Sequence, residues 1–271
     1  YSKTEADTLL AAKATNTALA TTNTAVALKA PIASPVFTGN VGVGVTPETS
    51  GSNYNVLQIG QGGSIMAPTA TEDMYVGSNV YRNSSNTNSY IVTEKASIYE
   101  QYNGEHYFNV APSGSADAAI SFTQGMKISN AGIVTMPSQP AFSVYRNSGA
   151  ADSSLGANGV IVCNGEHFDT GGNHNTSTGR FTAPVAGKYM ISSFHMSTND
   201  TTYDNKNYTV NVNGSIYKEV YGSSGGAVHH QFNWSGIIQL AANDYVTLNY
   251  QNFNIYGSHA NYSTFSGHLI G

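Results

Sequence analysis

The residues of this chain that could catalyse a reaction are its aspartates. The candidates lie in the C-terminal half and are Asp169, Asp200, Asp204 and Asp244. Two carboxylates that converge in a groove can hydrolyse a glycosidic bond, one as the acid and the other as the base or nucleophile. Asp169 and Asp244 lie in turn segments, where we expect an aspartate to cap backbone N–H groups instead. The sequence contains no HExxH, GxSxG or phosphate-loop motif. We predict that the protein is not an enzyme and keep a polysaccharide depolymerase as an alternative.

Histidines are the residues that could bind a metal ion. His229 and His230 are adjacent, and in a trimer one axial histidine becomes three imidazoles, enough to hold a transition metal. On an ordinary strand, however, neighbouring side chains point to opposite faces, so one ring would lie inside and the other outside. We expect this structural role, and the same for His195 and His268. The sequence therefore predicts no metal site and no cofactor.

The composition favours short β-strands joined by turns. Only 10% of the 271 residues are charged, against about 25% in ordinary domains, and Asn, Ser, Thr, Gly and Tyr replace them. The net charge of -5 and the lack of a basic run argue against a nucleic-acid partner. No run of 18 apolar residues exists, so we expect no membrane insertion. The single Cys163 lies in an apolar run and is expected to be buried in a strand.

The first 30 residues have the pattern of a coiled coil. Ser2 and Glu5 match a capping box, and no Gly or Pro follows before Pro31. Two heptads, TNTALAT and TNTAVAL, occupy residues 15–28. The expected seam residues are Leu9, Ala12, Asn16, Leu19, Asn23 and Val26. Their alternating spacing of three and four predicts a short trimeric stalk over residues 1–30. A single amphipathic helix on a globular domain is the alternative.

Three further segments follow the stalk. Residues 31–53 form a linker, because Pro31 and Pro35 interrupt the helix. Residues 54–138 contain short alternating runs separated by turns, which predict a β-rich shaft domain of a fibre. Residues 139–271 contain longer, evenly spaced runs with Gly and Asn turns, which predict a β-sandwich head.

The head resembles a known family in an ordered set of motifs. AFSV at 141–144 is similar to the family's opening strand, and TGRFTAPVAGKY at 178–189 to its most specific signature. LAANDYV at 240–246 and FSGHLI at 265–270 follow in the same order. These motifs resemble the complement-one-q globular head of the tumour-necrosis-factor-like class. The resemblance implies a ten-stranded jelly roll that assembles as a homotrimer. Asn243 stands where the family usually has Gly, and Asn also tolerates left-handed turns.

The segments before the head resemble bacteriophage tail fibres. YSKTEADTLLAAK at 1–13 and ASPVFTG at 33–39 are similar to linkers of these fibres, and residues 56–124 to their shaft segments. The fold class expected is thus mostly β, with a coiled coil, a shaft and a jelly-roll head. The resemblance implies a virion protein in the tail fibre, joined to other tail or fibre proteins through a segment that precedes Tyr1.

Loops at one end of the head are the candidate binding surface. If the last strand ends near the base of the head, antiparallel pairing puts the loops at 197–206, 221–227 and 255–262 at the opposite end. These loops are rich in Tyr, Gly, Ser, Asn and His, as binding loops often are. The expected contact residues are Tyr203, Asp204, Tyr221, Tyr256, His259 and Tyr262.

The function predicted is host attachment: an adhesin that recognises a cell-surface receptor, expected to be a carbohydrate that stacks on tyrosine rings. The alternative from another class is a structural fibre or neck protein whose head only trimerises the chain.

Overall fold

The computed structural model describes residues 1–11, 21, 37–147, 158–197, 206–222, 229–256 and 262–271. The chain forms two compact units. The first comprises Tyr1–Thr123 and Lys127–Val134, and the second comprises Gln124–Met126 and Thr135–Gly271.

The helix α1 spans Lys3–Ala11. Its start has the predicted capping box: the Ser2 backbone N–H donates to Glu5 Oε2 at 2.7 Å, and the Glu5 N–H donates to Ser2 Oγ at 3.3 Å. The bond from the Ser2 N–H, with a second from the Ser2 hydroxyl to the same oxygen at 3.0 Å, lowers the pKa of the Glu5 carboxyl. Asn16, Leu19, Asn23 and Val26 lie outside the described residues, as does the side chain of Leu9. The trimeric coiled coil stays a prediction.

The first unit is built on one large sheet, which we call the shaft sheet. The described strands are β1 (Val41–Val43), β2 (Tyr54–Ile59), β3 (Gly63–Pro68), β4 (Met74–Ser78), β5 (Tyr81–Arg82), β6 (Asn88–Ser89), β7 (Glu94–Tyr102), β8 (Glu105–Gly114), β9 (Thr123–Ile128) and β10 (Val134–Thr135). The order in the sheet is β1-β2-β3-β4-β7-β8-β9-β10, while β5 and β6 form a separate ribbon. β1 pairs with β2 in parallel, and the pairs from β2 to β8 are antiparallel.

One face of the shaft sheet packs a small core. Val56, Met66, Tyr75 and Ile98 are buried there, at alternate positions of their strands. Asn79, at φ 59°, lies at one edge of this core and bonds to the backbone of Val92. Its Oδ1 accepts from the Val92 N–H at 2.7 Å, and its Nδ2 donates to the Val92 carbonyl at 3.0 Å. A side chain thus supplies the backbone partners that the ladder lacks at this turn.

The second unit is a two-layered β-structure. Its described strands are β11 (Ala141–Tyr145), β12 (Asn158–Val160), β13 (Gly165–Thr170), β14 (His174–Asn175), β15 (Arg180–Thr182), β16 (Gly187–Met196), β17 (Asn207–Val212), β18 (Ser215–Tyr221), β19 (Gln231–Leu240), β20 (Tyr245–Gln251) and β21 (Ser263–Leu269). One sheet has the order β13-β11-β21-β16-β19 and the other β14-β15-β20-β17-β18, with β12 beside β20. We call them the five-stranded and the six-stranded sheet. The mostly-β prediction is confirmed, and the count of ten strands stays a prediction.

The two sheets of the head enclose an aromatic core. The rings of Phe142 and Phe181 stack at 4.4 Å, and those of Phe232 and Phe253 stack at 4.6 Å. Cys163 is fully buried in this core, as predicted, but it lies between β12 and β13 and not in a strand as expected. Its burial raises the pKa of the thiol to about 12. Asn243 has φ 72°, so the left-handed turn expected at this position is also confirmed.

Candidate functional site

Backbone hydrogen bonds tie together the loops that leave one end of the head. The Ser197 N–H donates to the His230 carbonyl at 2.8 Å, which joins the ends of β16 and β19. The Met196 N–H donates to the Tyr262 carbonyl at 3.0 Å, which joins β16 to the start of β21. Three loops predicted to share one end therefore start and finish beside one another, and we call this end the tip.

Three rings form a cluster at the tip. The ring centroids of His229 and Tyr256 are 5.3 Å apart with an interplanar angle of 79°, and those of Tyr256 and Tyr262 are 4.9 Å apart at 81°. The Tyr256 N–H donates to the Met196 carbonyl at 2.8 Å, so the backbone of β16 positions the central ring. We call His229, Tyr256 and Tyr262 the tip cluster. Its edge-to-face packing presents a rigid aromatic surface.

His229 is a tip residue that the sequence pattern did not predict. The two histidines were expected on a strand, yet β19 begins at Gln231, so His229 and His230 precede it. The reason is Ser197: His229 Nδ1 bonds its carbonyl at 2.8 Å, and the His230 N–H bonds its Oγ at 2.9 Å. These bonds replace the strand ladder. The signal available in the sequence was that both histidines directly follow a predicted tip loop.

The other predicted contact residues divide into two groups. Tyr221 ends β18 with 67% of its surface exposed, and a hydrogen bond to the Glu219 carboxylate raises the pKa of its hydroxyl. Tyr203, Asp204 and His259 lie outside the described residues. The structure thus brings Tyr256 and Tyr262 into contact and leaves Tyr221 at the neighbouring strand end.

The candidate acids act as turn caps where they are described. Asp244 Oδ2 accepts from the Ala241 N–H at 2.7 Å, and Asp169 Oδ2 accepts from the His174 N–H at 2.8 Å. A hydrogen bond from the Asn213 side chain, followed by the bond from the Ala241 N–H, lowers the pKa of Asp244. The expected capping role is confirmed for both residues. Asp200 and Asp204 lie outside the described residues.

The remaining metal candidates are separated in the fold. His195 is fully buried in the head, whereas His268 is exposed on β21. Within the described ranges, no group of three or more His, Cys, Asp or Glu side chains is placed to hold a metal ion. In that same part of the chain, no helix is both long and apolar enough to cross a membrane.

The outward face of the five-stranded sheet carries exposed apolar side chains among serines and other polar groups. Phe168 and Ile237 are 52% and 55% exposed on it, and Met190 lies directly opposite Ile237 in the strand register. A shallow groove of about 460 Å³ lies on this face, lined by Phe168, Met190 and His268 among others. Large apolar groups on the side of a sheet that faces away from the core indicate a contact surface.

The outward face of the shaft sheet carries a row of apolar side chains. Consecutive cross-strand pairs connect Leu57, Ile65, Val76, Tyr99 and Phe108, one residue from each of five adjacent strands. We call these five residues the shaft row. Val76 and Phe108 are each 40% exposed. The row contains no charged residue, so it is suited to burial against another surface.

Comparison with known proteins concerns the C-terminal half of the chain. The family model for the C1q domain matches residues 141–270. The protein Caprin-2 of Danio rerio is 31% identical over 133 residues, which span 48% of this chain and 14% of that relative. The match thus covers a small part of that protein's length.

Two solved structures from vertebrates match the same half of the chain. The globular domain of zebrafish complement 1qA has 19% sequence identity and a TM-score of 0.39, and covers 49% of this chain and 98% of that one. Murine APRIL at pH 5.0 has 9% identity and a TM-score of 0.40, and covers 49% of this chain and 99% of that one.

The family match defines the class of the second unit. Residues 141–270 form a C1q-like globular domain. Domains of this class are typically non-enzymatic folds for binding and trimerisation, and they commonly form homotrimers.

Proposed function

We propose that the chain is the distal part of a bacteriophage tail fibre, a homotrimeric adhesin that attaches the virion to a host cell. The observation that carries the proposal is the tip cluster. Its rings lie where three loops rich in Tyr, Asn, Ser and Gly converge. This composition is typical of protein surfaces that bind ligands with rigid aromatic groups and adaptable hydrogen bonds.

The receptor we propose is a host-surface carbohydrate. Tyrosine rings offer apolar faces for sugar rings and a hydroxyl for hydrogen bonding. Tyr203, Asp204, Tyr221, Tyr256, His259 and Tyr262 are the proposed contact residues. Three tips in one fibre raise the effective affinity, so each single contact can be weak.

The outward face of the five-stranded sheet is the proposed trimer contact, and its occupant is a second copy of this chain. The two outward faces of the head differ in chemistry. Phe168, Met190 and Ile237 lie among serines on the five-stranded sheet, whereas the six-stranded sheet presents Asn207 and Thr209 beside the apolar Ile216. Burial of the five-stranded sheet is the more favourable choice, because the amide groups of the other sheet would have to be paired on burial.

The shaft row supports the same assembly. Heads that trimerise hold three copies of the shaft unit at high effective concentration. We therefore propose that the shaft rows of different copies pack together, with the predicted coiled coil ahead of them. Other tail or fibre proteins are the further partners that we propose for the chain.

Two alternatives make different predictions. A structural fibre or neck protein would trimerise and bind no cell. A depolymerase would shorten the polysaccharide that it binds.

The experiment that tests the proposal uses the full chain, labelled with a fluorophore, and a broad panel of bacteria. Light scattering first establishes the mass of the assembly, and flow cytometry then measures binding to each strain. We expect a trimer that binds some strains saturably and leaves the length of their surface polysaccharide unchanged. A trimer that binds none identifies the structural protein, and shortened polysaccharide identifies the depolymerase.

A further inference from the structure

The central strand of the six-stranded sheet has polar side chains on the face opposite the core. Tyr208 and Val210 of β17 point into the core, so the alternating residues Asn207, Thr209 and Asn211 point outward. These three outward residues are nevertheless only 7%, 7% and 8% exposed. They therefore form the floor of a depression and not an ordinary solvated face.

Neighbouring strands add more amides to this depression. In the strand register, Gln251 lies opposite Asn207, Asn249 opposite Thr209, and Asn158 opposite Gln251. The resulting groove has a volume of about 310 Å³. Its lining is Asn158, Gly159, Asn207, Thr209, Asn211, Ile216, Asn249, Tyr250 and Gln251. We call it the amide groove.

Two acceptor atoms in the amide groove have no partner. Asn207 Oδ1 and Asn211 Oδ1 are buried and make no hydrogen bond within the described structure. The orientation of the Asn207 amide is fixed, because its Nδ2 donates to Glu219 Oε1 at 2.7 Å. A β-bulge between Val210 and Asn211 changes the register with β18 at this point. Buried acceptors without a donor cost stability, and a hydroxyl group bound in the groove would supply the donors that they lack.

We propose that the amide groove binds a neutral carbohydrate. Sugar hydroxyls can donate to Asn207 Oδ1 and Asn211 Oδ1, and they can accept from the amide N–H groups of Asn158, Asn249 and Gln251. The volume lies at the lower end of the roughly 300–1,000 Å³ usual for small-molecule sites, which suits one or two sugar rings.

The charge of the amide groove excludes anionic ligands. Its lining contains no Lys or Arg, and the Glu219 carboxylate lies beside Asn207. A uronic acid, sialic acid or phosphate would meet acceptors and a negative charge, with no cation to compensate. The groove shares no residue with the tip cluster. The inference therefore takes only one point from the proposed function, namely that the receptor is a carbohydrate.

The test measures sugar binding by the full chain on an array of neutral and anionic oligosaccharides, with calorimetry on each glycan that binds. Asn211→Leu removes one unpaired acceptor, and Asn207→Leu removes the other. Asn55→Leu is the matched control, an exposed strand asparagine of the shaft sheet. We expect binding to neutral glycans only, weakened at least tenfold by either groove variant and unchanged by the control. Asn211→Leu should also raise the melting temperature, because it replaces a buried acceptor that has no partner with an apolar group.

Several results would overturn the inference: no neutral glycan bound, a preference for anionic glycans, or full binding by both groove variants. The outcome is separable from that of the proposed function. Adsorption to cells without binding to any neutral glycan refutes the groove alone. Glycan binding through the groove by a chain that adsorbs to no cell refutes the attachment role alone.

Discussion

The rings of Tyr256 and Tyr262 pack edge to face at 4.9 Å, and the backbones of both residues bond to the same residue, Met196. The Tyr256 N–H donates to the Met196 carbonyl, and the Met196 N–H donates to the Tyr262 carbonyl. The pair is therefore positioned by the end of β16 and not only by its own loop. Aromatic groups fixed in this way lose little conformational entropy when a ligand binds.

Charge on the five-stranded sheet should dissociate the trimer. Ile237 is 55% exposed in a single chain and becomes buried in the proposed contact. A lysine there would bury an unpaired charge, which raises the dissociation constant of the trimer at least tenfold. Sedimentation or light scattering across a dilution series gives this constant. Ile216→Lys on β18 is the control, since Ile216 is equally apolar, 63% exposed and on the other sheet. Equal constants for both variants would contradict the proposed interface.

Truncation within the shaft row should lower the thermal stability of the assembly. Val76 lies in the middle of the row and is 40% exposed in a single chain. If the row packs against a second copy, Val76→Ser costs about 1–2 kcal/mol per chain, the value for losing buried apolar groups. Scanning calorimetry measures the change. Ile133→Ser is the matched control, because Ile133 is 62% exposed and does not belong to the row. Equal melting temperatures for the wild type and both variants would show that the row stays exposed to solvent in the assembly, which contradicts the proposal.

Acid should destabilise the head through His195. Its ring is fully buried, and burial, together with the charge of Arg146, lowers its pKa to about 3. An unfolded histidine titrates near 6.5, so between about pH 6.5 and pH 3 the unfolded chain binds a proton that the folded chain does not. Stability is therefore complete above pH 6.5 and decreases as the pH falls through this window.

The His195→Phe variant isolates this effect. We expect its free energy of unfolding to decrease less between pH 7 and pH 5 than that of the wild type, by about 2 kcal/mol. Urea denaturation at each pH provides the values. The two proteins should show the same dependence between pH 7 and pH 8, which serves as the internal control. Parallel curves over the whole range would refute the buried neutral state of His195.

Local patterns were readable from the sequence because they depend on neighbours along the chain. The capping box of Ser2 and Glu5 and the left-handed turn at Asn243 need only a few adjacent residues. The burial of Cys163 follows from its apolar run. The order of the head motifs likewise sufficed to indicate the C1q-like domain.

The amide groove and the tip cluster depend instead on register between distant strands. Asn207 meets Glu219 and Gln251 only through the pairing of β17 with β18 and β20. A shift by one residue would turn Asn207 and Asn211 into the core. In the same way, His229 lies outside the predicted strand and bonds to the carbonyl of Ser197, which is distant in sequence. No pattern within residues 228–240 indicates that hydrogen bond.

The most direct test of the attachment role is the adsorption of a trimer that lacks the tip tyrosines. The full chain and its Tyr256→Ala/Tyr262→Ala variant are compared, after light scattering has shown equal masses, on bacterial strains from a broad panel. Tyr102→Ala, which removes an exposed tyrosine from the first unit, is the control. We expect adsorption of the double variant to fall about tenfold or more, because three weakened sites act together, while the control adsorbs like the wild type. Unchanged adsorption by the double variant, or no adsorption by the wild-type trimer to any strain, would contradict the attachment role.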